Sequence, residues 1–497
     1  MTSSSSVRPR KPVTTTNVTG PGPTAMETSL KRVESVGPPH ASLSHQKIKM
    51  PICSIVACEY VEKQRFLAEA QRITTYYIHQ EDNIFICSNF LAGKCFQGSL
   101  CPRHHTMLPY AWQMRDTKTK MWVSVEGSGQ EMLERLYSNP HVKTVKAMCK
   151  KDKLIINLLS MEVYLSSVFD RVRRLSTLSN PTVPFNSCLK YYYEASLNQW
   201  VEYGQETIRI IEESLRENCY VIPFNRLLSR CYLDICNLLE EDLETGTKRR
   251  IRIRPVFVSP ITLMSKLWTM SAIESPTCLK PFHPSVGVFY PGTWRITSTS
   301  VVLEKVLLDC KDEEYHHVYR NFHKTIPEWE YLIVSVNRIQ NYFQWEKLMC
   351  KKRFMTRFDT EYREVERFLF HGTDQSNVDA ICTQNFDTRV DTRNGKALGY
   401  GCYFAKDASY SHRYCPANAS GHRYMFLAKV LVGRSTVGCA SYRRPPMIIP
   451  DDPKSLLYDS CVNKLDDPDL YVVFDNDQFY PSFLIEYKKV LNFIVLD

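Results

Sequence analysis

Two sets of residues in this chain have types and spacing that could do chemistry. The first is His371-Gly372-Thr373, then Gly399 and Gly401 ahead of Tyr403-Phe404-Ala405, then Ser411, Tyr414 and Cys415. The apolar run Phe368 to Phe370 predicts a buried strand that the chain leaves at His371, and Gly372 lets bare backbone come close to a ligand. Gly399 and Gly401 bracket a tight turn into a second short strand, and Asp407 to Tyr414 read as a helix that returns Ser411 and Tyr414 towards the first strand. The two strand ends are then the walls of one pocket. The second set is Cys87, Cys95, Cys101 and His105, spaced C-x7-C-x5-C-x3-H, with Gly93, Gly98 and Pro102 supplying turns between them. Three thiolates and one imidazole make a closed tetrahedral zinc site, and a segment this short depends on its metal to fold. His104 is an alternative fourth ligand on sequence grounds.

These residues need elements to hold them. From residue 296 to the C-terminus, Tyr315 to His323 and Val336 to Lys352 have a helical pattern and many short strands follow, which predicts an α+β domain. Upstream lie two segments of one plan. In the first, Trp112 and Trp122 flank a charged turn, Glu134 stands twelve residues beyond Trp122, and Arg171, Arg173 and Arg174 close the segment. In the second, Tyr192 and Trp200 flank the turn, Glu212 stands twelve beyond Trp200, and Arg249, Arg250, Arg252 and Arg254 close it. An internal repeat of roughly eighty residues is best read as two copies of one module. Ile208, Ile210, Ile211 and Leu215 put an apolar stripe on a helix packed across the strands. Two readings of the arginines stand open: a solvated edge, or a phosphate-binding one.

Composition bounds the class. A chain of 497 residues has room for three or four domains, and 43% hydrophobic with 23% charged residues suits folded protein. No apolar run reaches the length of a membrane span, and the N-terminus lacks the apolar core of a signal peptide, so an intracellular protein in nucleus and cytoplasm is expected, without a membrane partner. The 18 cysteines are then thiols or metal ligands before they are disulfides. A net charge of +10 permits nucleic-acid binding without demanding it. Residues 1–50 hold no aromatic side chain and are rich in Ser, Thr and Pro, which predicts a disordered tail; its seven Lys and Arg include Arg8, Arg10 and Lys11.

Three resemblances sharpen this outline. The Cys/His segment, residues 80–107, resembles the CCCH zinc fingers that bind single-stranded RNA, with Phe85, Phe90, Phe96, Lys94 and Arg103 as candidate contacts. The repeat, at 108–176 and 185–256, resembles the WWE domain, an α+β module that in some proteins binds the iso-ADP-ribose unit of poly-ADP-ribose; Tyr192 is expected where that family has its first Trp. Residues 257–295 are read as a linker. The first set, together with the stretches at 425–433, 443–446, 457–462 and 471–474, resembles the NAD-binding signature of the diphtheria-toxin-like ADP-ribosyltransferases, the poly-ADP-ribose polymerase family. The expected architecture is multidomain α+β: a C-terminal transferase domain at 296–497 with split antiparallel sheets and flanking helices, two WWE-like modules, one zinc finger and a disordered tail.

That last resemblance implies roles. Gly372 would hold the nicotinamide carboxamide of NAD through its backbone and Ser411 through its hydroxyl. Tyr403 and Tyr414 would sandwich the nicotinamide ring, and His371 would hydrogen-bond a ribose hydroxyl as the glycosidic bond stretches. The family's chain-elongating members carry a Glu at the start of a strand where this chain has Leu470. Leucine has no lone pair to polarise an acceptor hydroxyl, so the triad His371, Tyr403 and Leu470 implies transfer of single ADP-ribose units to proteins, this chain included. Asp469 is expected to face away from Leu470, because alternate strand residues point to opposite sides. The short run ahead of residue 315 leaves little room for a large regulatory helical domain, so activation by DNA breaks is not expected. The competing reading is a catalytically silent zinc-finger scaffold that binds RNA; retention of His371 and Tyr403 favours the enzyme.

Overall fold

The computed structural model describes residues 79–149, 152–179, 185–226, 229–270, 290–294, 303–357, 365–389 and 397–496. The tail at 1–50 with its basic run, and about half of the 257–295 segment, lie outside the described residues; the described part of that segment is not a bare linker, since Pro260–Met270 is helical and Trp294 is buried against Trp345. The Cys/His segment begins the described chain with a short helix α1 (Ser88–Leu91). Ile86 and Leu91 pack against Ala111 and Leu175, and the Ile86 N–H donates to the Ser176 carbonyl at 2.9 Å, so this segment is seated on the module that follows.

That module places strands β1 (Tyr110–Asp116) and β2 (Trp122–Ser124), helix α2 (Ser128–Ser138), and strands β3 (Thr144–Cys149), β4 (Asp152–Asn157), β5 (Glu162–Tyr164) and β6 (Phe169–Ser176) in the order β2-β1-β6-β5-β4-β3. The next segment repeats it: β7 (Leu189–Ser196), β8 (Gln199–Glu202), α3 (Gln205–Arg216), β9 (Val221–Arg226), β10 (Ser229–Asp234), β11 (Leu239–Asp242) and β12 (Lys248–Pro255), ordered β8-β7-β12-β11-β10-β9. In each copy the helix follows the second strand and closes the core. Ile211 is buried there, with Ile208, Ile210 and Leu215 packed beside it.

Register fixes which residues correspond, and it corrects one expectation. The Val125 N–H donates to the Trp112 carbonyl as the Tyr203 N–H donates to the Tyr191 carbonyl, both at 3.0 Å. Trp112 pairs with Arg174, and Tyr191 with Ile253. Tyr191, not Tyr192, therefore stands at the first aromatic position; Tyr192 matches Gln113. Two adjacent tyrosines hide the register in a sequence, because both are partly apolar and only strand pairing says which faces the core. In the first copy Glu134 is buried, accepts from Trp112 Nε1 at 3.0 Å and takes a bidentate pair from Arg174. Ile253 replaces that arginine in the second copy, so its Glu212 has lost this partner.

The last unit is one nine-stranded sheet. After helix α4 (Pro260–Met270) come β13 (Leu303–Leu307), α5 (Glu313–His323), β14 (Tyr331–Asn341), α6 (Tyr342–Arg357), β15 (Glu366–Thr373), α7 (Val378–Gln384), β16 (Cys402–Ala405), α8 (Ala408–His412), β17 (His422–Leu431), β18 (Ser435–Val437), β19 (Ser460–Val462), β20 (Leu470–Val473) and β21 (Phe479–Lys489). The strand order is β13-β14-β21-β17-β15-β16-β20-β19-β18, antiparallel except for β18 with β19. Strands β15 and β16 meet at the single pair Phe370 with Ala405, so the sheet almost divides there.

The helix expected from Val336 begins only at Tyr342. Ile333, Val334, Val336 and Ile339 are β-branched and favour extended backbone, and the strand ends at Asn341, whose side-chain oxygen accepts from the Gln344 N–H at 3.1 Å. Burial on both faces near Asn341 erased the two-residue alternation that marks a half-exposed strand. One apolar core fills the side of the sheet with Phe386, Phe404, Phe426 and Phe479; another lies under α5 with Val318, Phe322 and Tyr487. Past β21 the chain runs to β22 (Phe493–Leu496), which pairs in parallel with β3 of the first module.

Candidate active site

The dividing line of the sheet is where the singled-out residues collect. His371 and Gly372 lie in the last three residues of β15, Tyr403 lies on β16, and Leu470 opens β20, paired directly with Ala405. His371 Nδ1 lies 2.9 Å from the Tyr403 carbonyl oxygen. A carbonyl only accepts, so the proton sits on Nδ1, and Nε2 is left as a lone pair that can accept. Burial holds the imidazole below its usual value, partly opposed by that same hydrogen bond, which keeps the ring neutral. The ring sits against Phe386 and Phe404, at centroid distances of 4.7 and 5.6 Å.

Gly372 is demanded by its neighbour. A side-chain carbon there would lie 2.1 Å from the Ser411 carbonyl oxygen and 2.8 Å from Cys415 Sγ, so α8 packs directly on its backbone. The Ser411 hydroxyl donates to the Phe370 carbonyl at 3.0 Å and offers its lone pairs elsewhere. Gly399 has φ +129°, and a side-chain carbon there would meet the Phe474 ring at 2.7 Å; the turn therefore needs glycine on both counts. The Tyr403 hydroxyl accepts from the Leu398 N–H at 3.0 Å and donates to the Gly399 carbonyl at 2.9 Å, which clamps the ring to that turn. Burial raises its pKa, with Tyr414 a smaller contributor. Tyr414 is 39% exposed, with its ring 6.0 Å from that of Tyr410.

Asp469 departs from expectation. It precedes β20 instead of lying within it, so strand alternation does not apply, and Asp469 and Leu470 line the same cavity. Its carboxylate is held by Lys464 at 2.9 Å.

At the other end of the chain, ligand atoms of Cys87, Cys95, Cys101 and His105 lie within 4.8 Å of one another and could hold a metal ion. His105 Nε2 is buried without a hydrogen-bond partner, and burial followed by the neighbouring thiols pushes Cys87 up to about 11. A cation would relieve both. His104 lies outside the cluster, edge-on to His79 at 5.9 Å. Phe90 stacks on His105 at 4.3 Å, which commits it to the cluster, whereas Phe96 is 95% exposed and Phe85, Lys94 and Arg103 are exposed as well.

The arginines that close the second copy are all engaged. Arg250 makes a bidentate pair with Glu194, and Arg249 reaches Glu240 at 3.0 Å. Arg252 stacks over Trp200 at 4.0 Å and donates to the Pro140 carbonyl; Arg254 lies over Tyr137 at 4.5 Å. This edge is where one module grips the other. Sequence reasoning passed over a different set, Tyr193, Tyr203, Arg226 and Glu240. Glu240 is buried and accepts from Tyr203 at 2.5 Å and Arg226 at 2.8 Å, and Arg226 lies 4.1 Å from the Tyr193 ring. By register the first copy has Met114, Val125, Cys149 and Val163 at these positions, so comparing the two copies position by position could have found it.

Comparison with known proteins agrees with this geometry. Residues 312–489 match the poly(ADP-ribose) polymerase catalytic domain, and residues 189–253 match the WWE domain. Protein mono-ADP-ribosyltransferase PARP11 of Mus musculus is 30% identical over 325 residues, which cover 60% of this chain and 91% of that protein. The chain belongs to the poly(ADP-ribose) polymerase family. Protein mono-ADP-ribosyltransferase PARP12 of Homo sapiens is 30% identical over 431 residues, covering 82% of this chain and 59% of the relative. Zinc finger CCCH-type antiviral protein 1 of Mus musculus is 25% identical over 428 residues, covering 81% of this chain and 42% of the relative. The chain thus spans 59% and 58% of the human and mouse PARP12 proteins. Within the family, NAD is the substrate that the polymerase domain implies, and no described helix is long and apolar enough to cross a membrane.

Proposed function

We propose that this chain transfers single ADP-ribose units from NAD to protein acceptors, itself included, and releases nicotinamide. One observation carries the reading: Leu470 opens β20 opposite Ala405, two residues along from Tyr403, so a hydrocarbon side chain stands where elongation would need a base. The Gly372 backbone and the lone pairs of Ser411 take the carboxamide, and Tyr403 and Tyr414 hold the nicotinamide ring between them as it leaves. His371 Nε2 accepts a hydrogen bond from a ribose hydroxyl and fixes the sugar while positive charge develops at its anomeric carbon. The neutral imidazole suits this task, since a protonated ring would add a second cation beside the developing one.

The Cys87, Cys95, Cys101 and His105 cluster would hold zinc in a structural role, because four closed N/S ligands leave no open position for chemistry. Exposed Phe85 and Phe96 beside Lys94 and Arg103 support single-stranded RNA as a ligand of this finger. Of the two modules, the second is the better candidate for ADP-ribose, since it carries Tyr193, Tyr203 and Arg226 where the first has Met114, Val125 and Cys149. Nucleus and cytoplasm both suit these ligands.

The test supplies labelled NAD to the purified full chain. Short adducts resistant to further growth are expected, and His371→Ala should remove them. Long polymers on the wild type would refute the role of Leu470, and an unlabelled chain that still binds RNA would establish the scaffold instead.

A further inference from the structure

Beside Leu470 lies a cavity of about 340 Å³, within the size range of ligand clefts, whose walls include Asp407, Tyr410, Arg413 and Asp469. Its charges are unequally committed. Asp469 is paired with Lys464, and Lys406 next door is paired with Asp467. Arg413 lies over the Tyr410 ring at 5.2 Å. Asp407 occupies the position just ahead of α8, where an aspartate ordinarily caps the helix, yet its side chain makes no such bond. Its carboxylate has neither a hydrogen bond nor an ion pair among the described residues, and it faces the cavity two residues beyond Ala405, the partner of Leu470.

We propose that this cavity seats the acceptor polypeptide and that Asp407 is a specificity-determining residue, favouring segments with a lysine or arginine next to the modified residue. The proposal rests on the transferase reading above. The acceptor side chain enters past Leu470 towards the anomeric carbon of the NAD ribose, and its flanking cation pairs with Asp407, a cavity carboxylate that makes no ion pair among the described residues. A flanking carboxylate meets the unpaired Asp407 and is disfavoured, since Arg413 is drawn over the Tyr410 ring and Asp469 is already held by Lys464. An ion pair in a solvent-open cavity contributes modestly, so the discrimination expected is roughly fivefold.

The experiment uses the full chain, labelled NAD, and three peptides built around the residue that the chain modifies on itself, flanked by Lys, Ala or Glu. NAD hydrolysis without peptide reports the reaction centre independently. The wild type should use the Lys peptide best and the Glu peptide worst, by kcat/KM. Asp407→Asn should bring the three level and Asp407→Lys should invert the order, both with NAD hydrolysis intact. Equal use of the three peptides by the wild type, or an unchanged order in Asp407→Asn, overturns the proposal while leaving the transferase standing. Loss of NAD hydrolysis in both variants would also overturn it, by moving Asp407 from acceptor choice into the machinery. A wild-type chain that turns over no NAD at all brings down the transferase reading, and the proposal with it.

Discussion

Gly372→Ala is the sharpest perturbation available at the pocket. The added methyl would stand 2.1 Å from the Ser411 carbonyl oxygen, and the obstacle is backbone, so no side chain can swing aside. Bringing that pair out to 3.0 Å needs a movement of about 0.9 Å by α8 away from β15, and Cys415 Sγ at 2.8 Å resists in the same direction. Overpacking of this kind costs about 1–3 kcal/mol of stability. The functional cost is larger, because Ser411 and Tyr414 ride on or just beyond the displaced helix, and a misplacement near 1 Å costs on the order of a hundredfold in rate. Thermal unfolding of wild type and variant gives the first number, and NAD turnover at saturating substrate gives the second. A variant that melts a few degrees lower but turns over NAD a hundredfold more slowly fits this account. One with wild-type turnover would show that the Gly372 and Ser411 contact does not position the ring, and the assignment of both residues would fall.

Two further outcomes test other parts of the molecule. His323, packed between Tyr319 and Phe322, is pushed down to about 3 by burial, with the nearby Arg135 of α2 lowering it further against one hydrogen bond that raises it. The unfolded state then binds the extra proton first, so stability should fall by up to about 1.4 kcal/mol per pH unit as pH drops below 6.5; urea titrations from pH 7.5 to 4.5 should show a gentler slope for His323→Gln, and identical slopes would exclude His323 as the cause. Cys95→Ser should release one equivalent of zinc by elemental analysis and lower the melting temperature, since the finger is seated on Ala111 and Leu175; an unchanged metal content would remove Cys95 from the ligand set.

What could be read ahead of the structure was whatever depends on local chemistry. A histidine-glycine after an apolar run, and glycines ahead of Tyr403, announce close backbone packing because few other residues tolerate it. Four ligands at fixed spacing announce a metal for the same reason. The repeat was visible in the twelve-residue interval from Trp122 to Glu134 and from Trp200 to Glu212, since a helix crossing a sheet must begin at a constant distance from the strand before it. The misreadings share a cause in pairing between distant strands. Tyr191 and Tyr192 are told apart only by their partners Ile253 and Arg252 on β12. Val336 looked helical because β13 and β21, pairing with both edges of its strand, place it inside the sheet, where burial on both faces near Asn341 erases the alternation. Asp469 was assigned to the wrong side because strand ends are set by hydrogen bonds across the sheet, here to Asn463, and not by composition.

The parallel strand β22 has a practical side. A fragment cut to the transferase unit alone, from residue 303 onward, would carry Phe493–Leu496 without the β3 edge that receives it, and the first module would lose the cover that Ile494 and Leu496 give its core. Both pieces would then display bare apolar ribbon, the kind of surface that recruits neighbouring molecules. A shortened enzyme that clumps, or that behaves only with detergent, would be reporting a missing neighbour and not a defect in its chemistry.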